Sequence, residues 1–198
     1  MLRQPAQALL IDLDGVLRRW DPPVAVEQAY GLEPGVLLRT AMDWALLRPA
    51  ITGEITHAEW MAEVAARLPG SAAGAVPQWQ ADRGSVDADA LAFVRDVRAA
   101  GRPVGLATNG TDRLAADLAE SGLAGEFDAV VNSAELGVAK PAPEYFARAC
   151  AAIGAEPRWV LFVDDDDRVI RGARAAKLLG YRWTGPDGLP YLRRALAL

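Results

Sequence analysis

Cysteine is nearly missing from this chain, which holds one, Cys150, in 198 residues. No intrachain disulfide can form, which fits a reducing compartment. Cys150 falls inside an expected helix over 143–153 and reads as a buried, inert thiol rather than a nucleophile. Histidine is as scarce, with His57 alone, so no His/Cys cluster exists to build a zinc-type site. Long apolar runs are absent too: none can span a bilayer, and the N-terminal one breaks at Asp12, too early for a signal peptide. The expected compartment is the cytoplasm. Positive charge is neither abundant nor clustered, and the net charge is -5. Nucleic-acid and anionic-membrane partners are therefore not expected, and a negatively charged substrate would need a local cation. There is no internal repeat and no low-complexity segment.

What is present is enough apolar residue, 52% of the chain, for one sizeable core and a smaller appendage. The first organising stretch is Leu9-Leu10-Ile11-Asp12-Leu13-Asp14-Gly15. A short apolar run reads as a buried strand and stops at two carboxylates, which a strand interior cannot hold unpaired. If both acids serve one site, a turn or bulge after Ile11 must redirect one, or the backbone carbonyl of the second must contribute. Gly15 eases such a turn.

From Arg18 to about Arg83 no buried strand is evident. Helices are expected over 24–30, 34–47 and 56–68, the last opened by a capping box at Thr56 and Glu59 and closed by Pro69-Gly70. An insertion this long should be a small helical subdomain, 18–83, lying as a lid over a core formed by 1–17 and 84–198. From Val86 onward helices and short apolar runs alternate. Strands are expected over 104–107, 129–131, 159–163 and 181–183, and helices over 87–100, 111–121, 143–153 and 169–179, with a last helix from Leu189. Such alternation predicts an α/β fold, a doubly wound, Rossmann-like parallel sheet whose ligands bind at the carboxyl ends of its strands.

Three of those strands end in useful chemistry: Asp12 and Asp14, then Thr108 and Asn109, then Asp164-Asp165-Asp166-Asp167. Two carboxylates ~4 Å apart repel by about 4 kcal/mol at an effective dielectric of roughly 20, so crowding Asp12, Asp14 and Asp164 together calls for a cation. Oxygen ligands alone point to Mg²⁺. Asp166 and Asp167 read instead as a solvated turn capping the next helix. Thr108-Asn109-Gly110-Thr111, where a strand turns into a helix, can hold an anion, the Thr108 hydroxyl adding a donor. Lys140 stands in a loop stiffened by Pro141 and Pro143 and supplies the fixed cation an acidic protein needs to hold a phosphate.

Together these segments resemble the haloacid dehalogenase-like hydrolase superfamily, in its phosphatase-type branch with a helical cap inserted after the first motif. Asp12-Leu13-Asp14-Gly15-Val16 matches the family's first motif, and Leu106-Ala107-Thr108-Asn109 its second. Lys140-Pro141 matches the lysine motif, and Phe162-Val163-Asp164-Asp165 the acidic one. One departure is Val169, where many relatives carry asparagine; it bears on outer support of a metal, not on the ligands. The resemblance implies that Asp12 attacks phosphorus to give an aspartyl-phosphate and that Asp14 serves as general acid and then base. It also implies Mg²⁺ held by the Asp12 side chain, the Asp14 backbone carbonyl and Asp164, with Asp165 nearby or through water. Thr108, the Asn109 backbone and Lys140 would hold the phosphoryl oxygens.

The implied function is Mg²⁺-dependent hydrolysis of a small phosphorylated metabolite by a monomer or homodimer. Asp14 favours a phosphatase over a dehalogenase, which needs no leaving-group acid. A phosphomutase of the same family would use the same groups. A phospho-accepting signalling module, or a non-catalytic binding relative, shares the inventory of aspartates, Thr and Lys, but a receiver-type module lacks the lid. Lid-side candidates to face substrate are Arg18, Arg19, Trp20, Trp44, Arg48, His57 and Trp60. The structural expectation for them is lid core for the tryptophans, solvent for the arginines and an exposed first helical turn for His57.

Overall fold

The computed structural model describes residues 4–198; the first three residues of the expected core segment 1–17 lie outside the described residues. Among the described residues seven strands occur in chain order: β1 Ala8–Ile11, β2 Arg18–Arg19, β3 Ser85–Val86, β4 Val104–Thr108, β5 Ala129–Asn132, β6 Val160–Asp164 and β7 Leu179–Arg182. Five of them form one parallel sheet in the order β5-β4-β1-β6-β7, with Leu10 registered between Gly105 and Phe162. The chain runs outward from β1 on one side and then returns to build the other. The central strand β1 is therefore the switch point at which a doubly wound sheet opens its ligand crevice.

The sheet is covered on both faces, which is why its strands read as unbroken apolar runs. Leu9 and Ile11 point into a core with Phe93, Leu106, Leu114, Val163 and Leu192, supplied by helices Ala88–Ala99, Leu114–Glu120 and Leu189–Ala195. Ala8 and Leu10 point the other way, toward Tyr145, Phe146, Phe162 and Ile170 beneath helices Pro143–Ala152 and Asp167–Ala175. Each such leucine or phenylalanine contributes about 1.5–3 kcal/mol by leaving water. Cys150 is buried here, and burial pushes its thiol up to about 11. Among the described residues, no helix is long and apolar enough to cross a membrane.

Between β2 and β3 the chain forms helices Val24–Ala29, Val36–Ala41, Trp44–Ile51, His57–Arg67 and Ala75–Gln80. They pack on one another around a separate core that includes Leu37, Ala50, Trp60, Val64 and Val76. The capping box forms as its sequence predicts: the Thr56 N–H donates to Glu59 at 2.7 Å, and the Glu59 N–H donates to the Thr56 hydroxyl at 3.2 Å. The single helix expected over 34–47 is instead two, because Asp43 caps the second through the Ala45 N–H at 2.9 Å. Short polar side chains that bond the backbone locally end one helix and start another.

Other departures are local. The antiparallel ribbon of β2 and β3 is not anticipated from the sequence, whose expectation is only that no buried strand lies between Arg18 and about Arg83; two residues per strand are too few to show an alternation. Helices Ala75–Gln80 and Ser133–Leu136 were equally too short to signal themselves. Helix 111–121 begins only at Leu114, after a turn. The helix expected over 169–179 is Asp167–Ala175, leaving Leu179 to open β7.

Glu27 is the buried acid that holds the lid together. It is fully covered, and its carboxylate accepts from the Gly35 and Leu37 N–H groups at 2.8 Å each, satisfying the start of helix Val36–Ala41. Glu27→Ala strands both donors and should lower unfolding free energy by about 1–3 kcal/mol in denaturant titration. A loss below roughly 0.5 kcal/mol, the range of an ordinary surface change, would contradict this role.

Candidate active site

β1 ends at Ile11, and the next residues diverge. Asp12 stays at the strand's tip, its N–H bonded to the Val163 carbonyl of the neighbouring strand at 2.9 Å. Leu13 turns into the core and is 1% exposed, while Asp14 emerges into the crevice with its side chain half exposed. Gly15 then takes φ +84°, a left-handed conformation that costs glycine nothing. A Cβ there would collide with the Asp165 carboxylate, so this turn and the acidic loop after β6 are packed against each other.

Asp12, Asp164 and Asp165 each place a carboxylate oxygen within 4.8 Å of the others. Lys140 enters between two of them: its Nζ donates to Asp164 Oδ2 at 2.6 Å and lies 2.9 Å from Asp12 Oδ1. Burial disfavours charge on this lysine, but the flanking carboxylates of Asp12 and Asp164 more than offset it and hold its pKa above the ordinary value. Burial, aided by the negative charge of Asp164, pushes Asp12 the other way, up to about 7, against the opposing pull of Lys140. Asp165 is likewise raised, first by burial and then by Asp12.

With all three carboxylates ionised, the one ammonium leaves a local charge of -2. Asp12 Oδ1 is also buried and, although close to Lys140, has no aligned hydrogen-bond donor. A hard oxygen cluster with an excess of two negative charges and a bare oxygen fits Mg²⁺.

The Lys140 loop is fixed from both sides. The Lys140 N–H donates to Asn109 Oδ1 at 2.8 Å, and Asn109 Nδ2 returns a bond to the Lys140 carbonyl at 3.1 Å. The Asn109 side chain is thus a clamp on the lysine loop, a task its position after Thr108 did not announce. On the other side Pro141 packs so closely on Gly172 that a Cβ there would come within 2.6 Å of it. Thr108 is buried at the end of β4. Its carbonyl, with that of Val131, accepts from the buried Tyr145 hydroxyl, at 3.3 and 2.7 Å. Neither Tyr145 nor this role for Asn109 carries a sequence signal, since both depend on contacts between distant segments.

All seven residues expected at the site, Asp12, Asp14, Thr108, Asn109, Lys140, Asp164 and Asp165, line one cavity of about 630 Å³ under the lid. Asp166 behaves as the expected cap, accepting from the Arg168 N–H at 2.6 Å, and Asp167 pairs with Arg171. Val169 is buried at the cavity wall.

The lid-side expectations divide. Arg18 is not solvated but buried, forking onto Asp14 at 2.7 and 3.1 Å, with Asp117 3.6 Å away. The Trp20 indole also donates to Asp14, at 2.8 Å, and Trp20 and Trp44 are exposed in the cavity rather than lid core. Trp60 is lid core as expected. Arg19 faces solvent beside Asp87, and Arg48 pairs with Glu54 on the lid surface. His57 sits in the first turn of its helix but is half-buried against the core, near Gln80 at 3.1 Å and Thr111 at 3.4 Å. Burial pulls its pKa down.

A carboxylic acid that is neutral when folded and ionised when unfolded costs stability as pH rises from its free value to its folded one. For Asp12 that window runs from 3.8 to about 7. In metal-free protein, Asp12→Asn should therefore raise the Tm relative to wild type by several degrees at pH 8. The gain should shrink as pH falls toward 4 in thermal melts. An unchanged or lower Tm at pH 8 would contradict the crowding of charge described here.

Comparison with known proteins agrees with this architecture. A model of the haloacid dehalogenase-like hydrolases matches residues 6–177. A phosphoserine phosphatase of Thermus thermophilus is 35% identical over 113 residues, which are 53% of this chain; the match spans 45% of that protein's length, less than half. A Bacteroides thetaiotaomicron enzyme of the same family, solved with magnesium and inorganic phosphate, superposes with TM-score 0.71 at 19% identity, covering 89% of this chain and 93% of that one. The L-2-haloacid dehalogenase of Xanthobacter autotrophicus gives TM-score 0.64 at 24% identity over 87% of this chain and 75% of its own. Likeness at such identities speaks to the fold, while the family model covers most of the chain. This protein belongs to the haloacid dehalogenase-like hydrolases.

Proposed function

We propose that the protein hydrolyses a small phosphate monoester with Mg²⁺ as cofactor, residues 18–83 serving as the lid. The observation that carries this reading is the buried cluster of Asp12, Asp164 and Lys140 with Asp14 in the same cavity. Asp12 Oδ attacks phosphorus, the P–O bond to the alcohol breaks, and Asp14 gives its proton to the departing oxygen. Asp14 then takes a proton from water, whose oxygen attacks the phosphorus of the aspartyl-phosphate, releasing phosphate and restoring Asp12. A covalent carboxylate intermediate divides one hard displacement into two, and one positioned acid serves both.

Lys140, Thr108 and the Asn109 backbone hold the phosphoryl oxygens. The Asp12 and Asp164 carboxylates, the Asp14 carbonyl and, directly or through water, Asp165 would hold Mg²⁺, which when bound supplies charge stabilisation for phosphoryl transfer. Asp14 supports a phosphatase over a dehalogenase, since halide leaves without a proton. Both its oxygens face Arg18, so proton transfer requires it to release part of that fork. The single, buried Cys150 supports the cytoplasm as its place of work.

Purified protein should turn over p-nitrophenyl phosphate many times per molecule with Mg²⁺ and lose activity in EDTA. Asp12→Asn should lower kcat by roughly a thousandfold or more, as loss of a nucleophile does. One stable phosphorylation per chain, or an Asp12→Asn variant with near-normal turnover, would overturn the proposal.

A further inference from the structure

The cavity is far larger than a phosphoryl group needs, and its two halves differ in kind. The floor, at the tips of β1, β4 and β6, carries the charged cluster. The lid helices between Val36 and Arg67 contribute Leu38, Met42, Trp44, Leu47, Ile51 and Met61, with Trp60 behind them; their single polar contribution is His57. That histidine is already engaged with Gln80 and Thr111.

Three of the four arginines that reach the cavity pair with carboxylates. Arg18 forks onto Asp14, Arg113 pairs with Asp117 at 2.9 Å, and Arg83 pairs with Glu120 at 2.6 Å. Arg168 lies over the Trp44 ring, 5.8 Å from its centroid. Trp20, Met42 and Trp44 are 41%, 52% and 50% exposed, and all three line this cavity. Large apolar side chains left open to water inside one concavity mark a binding surface.

Resting on the phosphatase reading above, we infer that the leaving group is an apolar, uncharged alcohol, aryl or medium-length alkyl, packed against Met42 and Trp44, and not an amino acid. A serine-like leaving group would set a carboxylate and an ammonium against the apolar wall between Val36 and Arg67; the charged groups Arg168, Asp21 and Asp82 also line the cavity but lie off those helices. An apolar one gains by displacing water from that wall.

The test is binding of n-alkylphosphonates, methyl through octyl, to the Mg²⁺-loaded protein by calorimetry, with turnover of hexyl phosphate and O-phosphoserine measured alongside. Kd should fall with chain length, by up to about fourfold per methylene, until the lid is filled. In Met42→Ala and Trp44→Ala, exposed positions whose loss leaves the lid core intact, that dependence should flatten. The kcat/KM for hexyl phosphate should exceed that for O-phosphoserine. A Kd independent of chain length, or preference for O-phosphoserine, overturns the inference while leaving the phosphatase reading standing. Length-dependent binding with no turnover of any ester supports the apolar compartment and instead removes the phosphatase reading.

Discussion

Nζ of Lys140 lies 2.6 Å from Asp164 and 2.9 Å from Asp12, and all three side chains are withdrawn from solvent. Ions buried in this way cost several kcal/mol each in lost hydration, and the cost is recovered only with close, well-fixed partners. The fold therefore fixes them from separate directions. β1 and β6, hydrogen-bonded in register, deliver Asp12 and Asp164. Asn109 after β4 clamps the lysine backbone, and Gly172 lets Pro141 seat against a helix. Because these supports belong to different elements, the same packing that builds the core sets the spacing of the charges.

One ammonium does not neutralise three ionised acids, and a divalent cation would offset the remainder. Burial first, and then the neighbouring negative charge, raise the pKa values of Asp12 and Asp165. Asp14 lies apart from the cluster at the mouth of the cavity, where Arg18 and Trp20 donate to it. This fork joins the first strand's turn to the approach of the lid. Further bonds tie lid to core nearby, from the His57 N–H to Asp112 at 2.7 Å and from Arg83 to Glu120. These polar contacts join the helical insertion to the core at its edge, and its apolar wall faces the cavity.

The parallel sheet was legible because its strands are buried on both faces and end sharply: Ile11 before Asp12, Val163 before Asp164. Asp12, Asp14, Thr108 and Asp164 could be named for the same reason, a polar group where an apolar run ends, and Lys140 by its place in a loop stiffened by two prolines. What could not be read depends on partners far away in sequence. Asn109 bonds a loop 31 residues on, Tyr145 reaches back to Thr108 across 37, and the buried state of Arg18 follows from Asp14 and Asp117 together. Short elements such as β2 and β3 escaped because two residues cannot display a period. The helix break at Asp43 shows local side-chain bonding overriding a propensity that ran on either side of it.

Under the proposed function, Asp12 and Asp164 converge because a divalent cation belongs between them and Asp165. A crystal structure of the protein grown with Mg²⁺ and inorganic phosphate tests it most directly. One ion bound by oxygens of Asp12 and Asp164, with Lys140 turned toward the phosphate, is the result expected. Ordered density showing Asp12 and Asp164 facing separate solvent regions, with no shared ion at saturating Mg²⁺, would contradict it.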